Sequence, residues 1–335
     1  MVRGTFSWEC ASAFEEHAQN GTTRGAPCLK EGMRSCYLLA ALVLTLGALM
    51  ARGQECPSLL STARAAYETK RFEQAAVEFE QAAKVCSPRG PFLMGLARSK
   101  LMLRKFDEAA ATLDRVIEAE PKNAPAMKLR GDALYLGGNE LDAEKSFRMA
   151  LAVEPGSEAA HYALGRMFYQ QNRYTEAVSE FHKALERNPD SYRAHDNLAL
   201  CHEALNQDGL ALKHYFKALD LVYKDHPEYD WVYGNLASFF LRRDENEKAF
   251  QLAAEAAKRN PNAARNFFLT GKALSKLDKT EQSVRWLQQA EKLDPEYPEP
   301  RYLLAQIYRK QGKVEESERE LSVFRELDRK PRTRK

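Results

Sequence analysis

Only six cysteines and seven histidines occur in 335 residues, and none of them stands in a Cys-x-x-Cys or His-Glu-x-x-His arrangement. A glycine-rich loop leading into Lys-Ser or Lys-Thr is missing as well. The metal, redox and phosphate chemistry carried by those motifs has no footing here, and neither a cofactor nor a metal ion is expected. An excess of one charge is also lacking: 50 Lys and Arg face 47 Asp and Glu, a net charge of +3, with the two signs interspersed. That is a solvated surface, and no nucleic-acid partner is expected from it. No apolar run approaches the roughly 20 residues that cross a bilayer comfortably. The apolar stretch from Tyr37 to Met50 has 14 residues and no charge.

That run follows Met33 and Arg34 and leads into Ala51-Arg52-Gly53. A basic start, a short apolar core and small residues two apart make a secretory signal, so residues 33–53 are expected to be a signal peptide cut after Gly53. Left uncut, residues 37–51 would be a membrane anchor, which is the alternative localisation and the one route to a membrane partner. Gly53-Gln54-Glu55 ahead of Cys56 lacks the small apolar run of a lipidated cysteine. Residues 1–32 show no periodicity and read as a start-site artefact, with translation beginning at Met33, or else as a disordered leader. Residues 332–335 continue a basic stretch from Arg329 and Lys330 and read as a solubilising tail. The expected location is the periplasm or the exterior.

Residues 54–331 are periodic. Small residues recur every 34 positions at Ala63, Ala97, Gly131, Gly165 and Ala199, then after a four-residue offset at Ala237, Gly271 and Ala305. Twelve positions further lie Ala75, Ala109, Ala143, Ala177, Ala211, Ala249, Ser283 and Ser317, and seven beyond those Ala82, Ala150, Ala184, Ala218, Ala256 and Ala290. Phe79, Phe147, Phe181 and Tyr215 stand between the last two columns and fill the space that the alanines leave. Pro121, Pro155, Pro189, Pro261 and Pro295 end the unit, because proline lacks the amide hydrogen and disfavours a helical residue before it. Each unit is thus helix, tight turn, helix, stop, and the chain is an all-α array of identical supersecondary units.

This pattern resembles the tetratricopeptide repeat. The fourth unit carries it most fully, with Leu164-Gly165, Phe168, Ala177, Phe181, Ala184 and Pro189 in the family's columns. Eight units are placed at 56–89, 90–123, 124–157, 158–191, 192–225, 230–263, 264–297 and 298–331. Departures are the missing tryptophan of the pattern, His202 in the first-helix aromatic column, and Arg329 where a proline is expected. The resemblance implies a right-handed α-solenoid of about eight helix-turn-helix units. The four extra residues between units five and six add about one helical turn and mark Leu221 to Tyr229 as the seam. The last helix, Val314 to Leu327, is expected to bury Leu321 and Phe324 beneath a polar outer face.

Within that register Cys56 and Cys86 open and close the first unit, where two antiparallel helices bring them close. In an oxidising compartment they can bridge, which would stabilise the end unit by roughly 3.5 kcal/mol on the chain-entropy model. Two unpaired thiols near helix ends are the other reading. His195, Cys201, His202 and Glu203, with His161 one unit earlier, form the only local cluster of ligating residues. His195 and His202 are about 10 Å apart along a helix, too far for direct ligation of one ion, so buried hydrogen-bonded histidines are expected.

The resemblance implies that the first helices line a concave groove and that unit positions 2, 5, 6, 9, 12 and 13 meet the ligand. Those positions hold eleven basic residues: Arg64, Arg98, Lys128, Arg166, Arg193, Arg242, Arg265, Lys272, Lys276, Arg309 and Lys310. Five acids, Glu68, Asp132, Asp196, Glu203 and Glu299, stand against them. A basic concave surface attracts acidic segments. Asn197 and Asn235 share position 6 and can read an extended main chain with a donor and an acceptor each. Tyr162, Tyr169, Trp231, Phe268 and Tyr302 are the candidate apolar anchors. The reading is an exported, non-enzymatic scaffold that binds extended or acidic peptide segments of other proteins. The alternatives are a membrane-anchored recruitment or assembly factor, or a regulatory subunit of an enzyme complex.

Overall fold

The computed structural model describes residues 56–329, and sixteen α-helices make up the regular structure in that range, with no strand among the described residues. The leader at 1–32, the signal segment at 33–53 with its cleavage point, and the tail at 332–335 lie outside the described residues.

The helices fall into eight antiparallel pairs in the expected register. They are α1 (56–68) with α2 (Phe72–Val85), α3 (Gly90–Met102) with α4 (Phe106–Ala119), α5 (Ala124–Leu136) with α6 (Glu140–Val153), and α7 (Glu158–Gln170) with α8 (Tyr174–Arg187). After these come α9 (Tyr192–Ala204) with α10 (Asp208–Asp225), α11 (Trp231–Leu241) with α12 (Asn246–Arg259), α13 (Ala264–Lys276) with α14 (Thr280–Leu293), and α15 (Pro298–Lys310) with α16 (Val314–Asp328). Each pair packs on the next, which makes an all-α solenoid.

The periodic columns are its core. The small residues at Ala63, Ala75, Ala82 and their equivalents are buried in every unit, as is Phe79 with its counterparts Phe147, Phe181 and Tyr215. The rings occupy the room that glycine leaves. A Cβ on Gly131 would stand 2.5 Å from the Phe147 ring, and one on Gly165 would stand 2.9 Å from the Phe181 ring. Where serine replaces alanine the hydroxyl is satisfied inside the core: Ser283 Oγ donates to the Gly271 carbonyl at 2.7 Å and Ser317 Oγ to that of Ala305 at 2.9 Å.

Every turn inside a unit places its fifteenth residue in the left-handed region, from Lys70 and Arg104 through Gly138, Asn172, Asn206, Asp244 and Asp278 to Gly312. Asn, Asp and Gly tolerate that conformation, and six of the eight positions hold one of them. Cys56 and Cys86 are bonded, with their Cα atoms 5.7 Å apart, tying the start of α1 to the residue that follows α2.

The four-residue offset is absorbed by α10, which has 18 residues where α8 and α12 have 14. At the far end α16 differs from expectation. Leu321 and Phe324 are only half-buried, because no further unit covers them among the described residues, and Phe324 rests against the Tyr302 ring at 5.0 Å.

A second pattern joins the two helices of a unit. His161 Nδ1 meets Glu180 Oε2 at 2.6 Å, and the nineteen-residue spacing recurs in units five, seven and eight. His195 meets His214 at 2.9 Å, the Phe267 ring lies 5.2 Å from that of Trp286, and Arg301 donates to Glu320 at 3.0 Å. One slot between the fourth and twenty-third residues of the unit thus holds four different pairs.

Candidate functional site

From α5 onward the first helices of successive units touch one another across the repeat boundary, α5 to α7 and so on to α13 and α15. Shorter spacing on that side puts the first helices on the inner face of the curve. The inner face contains a cavity of about 520 Å³ between α3, α5, α7 and α9. Tyr135, Tyr162, Lys128, Asp132, Arg166 and Arg193 line it, with Leu101, Met102 and Leu136 at one edge.

The charges there are unequally spent. Lys128 donates to Asp132 at 2.7 Å, Arg242 is paired with Glu203, and Lys276 with Asp244. Arg64, Arg98, Arg166, Arg193, Lys272, Arg309 and Lys310 carry no ion pair among the described residues. Arg166 and Arg193 are exposed at the mouth of the cavity. Arg193 lies 5.6 Å over the Tyr192 ring. Burial, with Lys276 and Arg242 nearby, holds the Lys272 ammonium below its ordinary pKa. The inner face therefore stays basic after its internal pairs are formed.

The two asparagines part company. Asn197 is half-buried and donates Nδ2 to the Arg193 carbonyl at 2.8 Å and to the Tyr162 hydroxyl at 3.2 Å, leaving Oδ1 with no partner among the described residues. Asn235 is buried. Its Nδ2 donates to both oxygens of Asp196, at 3.0 and 3.1 Å, and its Oδ1 accepts from Arg265 at 2.9 Å. The expectation that Asn235 faces a ligand is corrected: Asp196 is itself buried and draws in the amide, with Tyr229 donating to the same carboxylate at 3.0 Å. Burial pushes the Asp196 pKa up to about 6, against the opposing pull of Asn235, Tyr229 and Arg265.

The aromatic candidates are also unequal. Trp231 is 54% exposed beneath the Arg265 guanidinium, 5.4 Å from its ring. Tyr302 is 45% exposed. Tyr162 tilts against Phe181 at 5.7 Å, Tyr169 against Tyr174 at 5.7 Å, and Phe268 meets the Tyr297 ring edge-on at 5.5 Å. These three are half-buried, so each offers one face to the groove.

The local cluster read from the sequence is divided among three places. His161 joins Glu180 and the Pro155 carbonyl, at 2.9 Å for the latter. Glu203 accepts from the Tyr215 hydroxyl at 2.9 Å on the other side of α9. His195 and His202 are buried and hydrogen-bonded as expected, His195 to His214 and His202 Nδ1 to Gln207 Oε1 at 2.7 Å, and the His214 ring, which sequence reasoning left out along with His182, packs against His202 and His182 as well. The signal was there: His214 follows His195 by the same nineteen residues as Glu180 follows His161. Cys201 is buried, and desolvation pushes its thiol up to about 12, so it is chemically quiet. Among the described residues no three His, Cys, Asp or Glu side chains are placed to hold a metal ion, and no helix is long and apolar enough to cross a membrane.

A family model described as tetratricopeptide repeat matches residues 94–160, 141–181 and 162–227, and another described as TPR repeat matches 271–312. No curated protein matches the chain in sequence. Among solved structures, a tetratricopeptide repeat protein from Parabacteroides merdae superposes with a TM-score of 0.58 at 18% identity, over 72% of this chain and 94% of its own. PilW, a widely conserved type IV pilus biogenesis factor, gives 0.57 at 22% identity over 65% and 100%. The APC/C hetero-tetramer Cut9–Hcn1 gives 0.61 at 14% identity over 82% and 53%. At such identities the likeness is one of fold.

Proposed function

The chain belongs to the tetratricopeptide repeat family, and from that premise we propose that it is an exported, non-enzymatic scaffold holding extended or acidic peptide segments of other proteins in its concave groove. The observation that carries this reading is the cavity between α3 and α9, where Tyr135 and Tyr162 lie beside two arginines that form no ion pair among the described residues. Aromatic faces supply area and the guanidinium groups supply bidentate donors, which together suit a side-chain carboxylate next to an apolar residue. Arg98 and Arg309 extend the basic surface toward the two ends.

A fluorescent twelve-residue peptide rich in Glu, with one Leu and one Phe, is the direct probe. It is expected to bind the full chain with a Kd on the order of 10 μM at low salt, and several-fold more weakly once salt shortens the Debye length to about 8 Å. Its Lys-for-Glu counterpart should bind at least about tenfold more weakly. Equal affinity for both peptides, or none for either, removes the basic-groove reading.

Export is supported by the Arg34, apolar core and Ala51-Arg52-Gly53 order, and by the bridge between Cys56 and Cys86, since such bonds persist in oxidising compartments. Protein taken from its native source is expected to begin at or near Gln54 and to give a bridged Cys56–Cys86 peptide in a non-reducing map. An intact Met1 or Met33 on soluble cytoplasmic protein counts against export. An uncut segment on membrane-bound protein selects the anchored alternative.

A further inference from the structure

Four of the seven histidines meet where α8, α9 and α10 pack together. The His214 ring is stacked on His195 at 5.2 Å and on His202 at 5.5 Å, and meets the edge of His182 at 6.1 Å. The hydrogen bonds fix which nitrogen carries each proton. His195 Nε2 lies 3.0 Å from the Pro189 carbonyl, which can only accept, so the hydrogen sits on Nε2 and Nδ1 offers a lone pair. That lone pair accepts from His214 Nδ1 at 2.9 Å.

A second proton on His195 forces the His214 hydrogen from Nδ1 to Nε2, and a second charge, on His214, then sets a donor against a donor inside a stack of like rings. The equivalent slot of unit four holds a different pair, with His161 Nδ1 facing the carboxylate of Glu180 at 2.6 Å. Other charges around the cluster are few. Glu186 of α8 and Asp190 before α9 favour protonation, and Lys213 and Lys217 of α10 oppose it. Lys217 and Asp190 are themselves paired at 3.0 Å.

We propose that unit five is an acid-operated joint: protonation of the imidazole cluster uncouples α10 from α8 and α9 and divides the array into two halves that remain folded.

Burial, and after it the other three histidines, bring the His214 pKa down to about 4, and burial also depresses His182 and His195. An imidazole released to solvent titrates near 6.5, so opening takes up protons. The closed arrangement is fully favoured above about pH 6.5 and loses that advantage as the pH falls toward about 4. Asp196, on the groove side of α9, has the opposite sign: its raised pKa makes acid favour the closed form between about 6 and the ordinary carboxylate value. His182, His195 and His214 thus act in one direction and Asp196 in the other.

The test is peptide-resolved hydrogen exchange on the full chain at pH 7.5 and 5.0, expressed as protection factors so that the intrinsic pH dependence cancels. Amides of α9 and α10 are expected to lose at least about tenfold in protection at pH 5.0, one linked pKa unit being tenfold, while α5, α6, α13 and α14 hold theirs. His195→Phe with His214→Trp installs the pair that the same slot holds in unit seven and should abolish the loss. If that variant lacks the helical signal at pH 7.5, His202→Leu keeps the hydrogen bond, removes one stacked ring and should shrink the loss. Unchanged protection of α9 and α10 in the parent chain overturns the proposal. So does a uniform loss along the whole array, or an equal pH response in parent and variant.

Discussion

Phe181→Ala is expected to lower the stability of the array by about 3–5 kcal/mol, the range for deleting a buried phenyl ring. The side chain is fully buried on α8, seated on Gly165 of α7 and tilted against Tyr162. It belongs to a cluster with Phe147, Leu164, Met167, Phe168, Leu198 and Cys201, drawn from units three to five. Its removal leaves a hole that no backbone shift can close, because α7 and α8 are already held at alanine and glycine contacts. A solenoid is stable through its nearest-neighbour interfaces, so the loss falls on the junction of units four and five and the array should then unfold in two steps. Urea denaturation followed by circular dichroism reads both effects. An unchanged midpoint would mean that the ring does not lie in the repeat interface.

The second large effect concerns binding. Arg166→Glu with Arg193→Glu should weaken the acidic peptide by at least about thirtyfold, close to 2 kcal/mol, since two attractive charges at the cavity mouth become repulsive. Both side chains are exposed and free of ion pairs among the described residues, so the helical signal should not change. Added salt, which weakens binding to the parent chain, should strengthen the residual binding of the variant. Calorimetry that returns the parent affinity would place the peptide elsewhere. Asn197→Ala should give a smaller loss of about 1 kcal/mol, whereas Asn235→Ala should act on stability, because it strips Asp196 and Arg265 of their buried partner.

The 34-residue period made the helices, their stops and the packing columns readable, because small residues at fixed spacing admit only one close-packed stacking. The closeness of Cys56 and Cys86 followed from the same register. Asn235 did not follow. Position 6 points inward in a regular array, but lengthening of α10 by one turn brings Tyr229 and α11 over Asp196, and the carboxylate then takes the amide for itself. His182 and His214 escaped notice for a different reason: each belongs to a second helix, and the partner of His214 is visible only when two columns nineteen residues apart are compared, while His182 meets His214 from the preceding unit. The left-handed turn column was also present in the sequence, but Lys70 and Arg104 break its composition in the first two units.

Repetition creates a hazard during folding, since a second helix of one unit presents nearly the same alanines and aromatic ring as that of the next. A wrong hairpin, α7 closing on α10, would satisfy every periodic column, and α13 closing on α16 would satisfy all but that of Ala290, where α16 has Phe324. It would fail at the slot between the fourth and twenty-third residues. His161 would lose the Glu180 carboxylate and meet His214, and Phe267 would lose the Trp286 ring and press on the half-buried carboxylate of Glu320. Units four, five, seven and eight thus each hold at this slot a pair that the next unit's second helix does not reproduce, which guards these segments of the nascent chain against mispairing with their look-alikes.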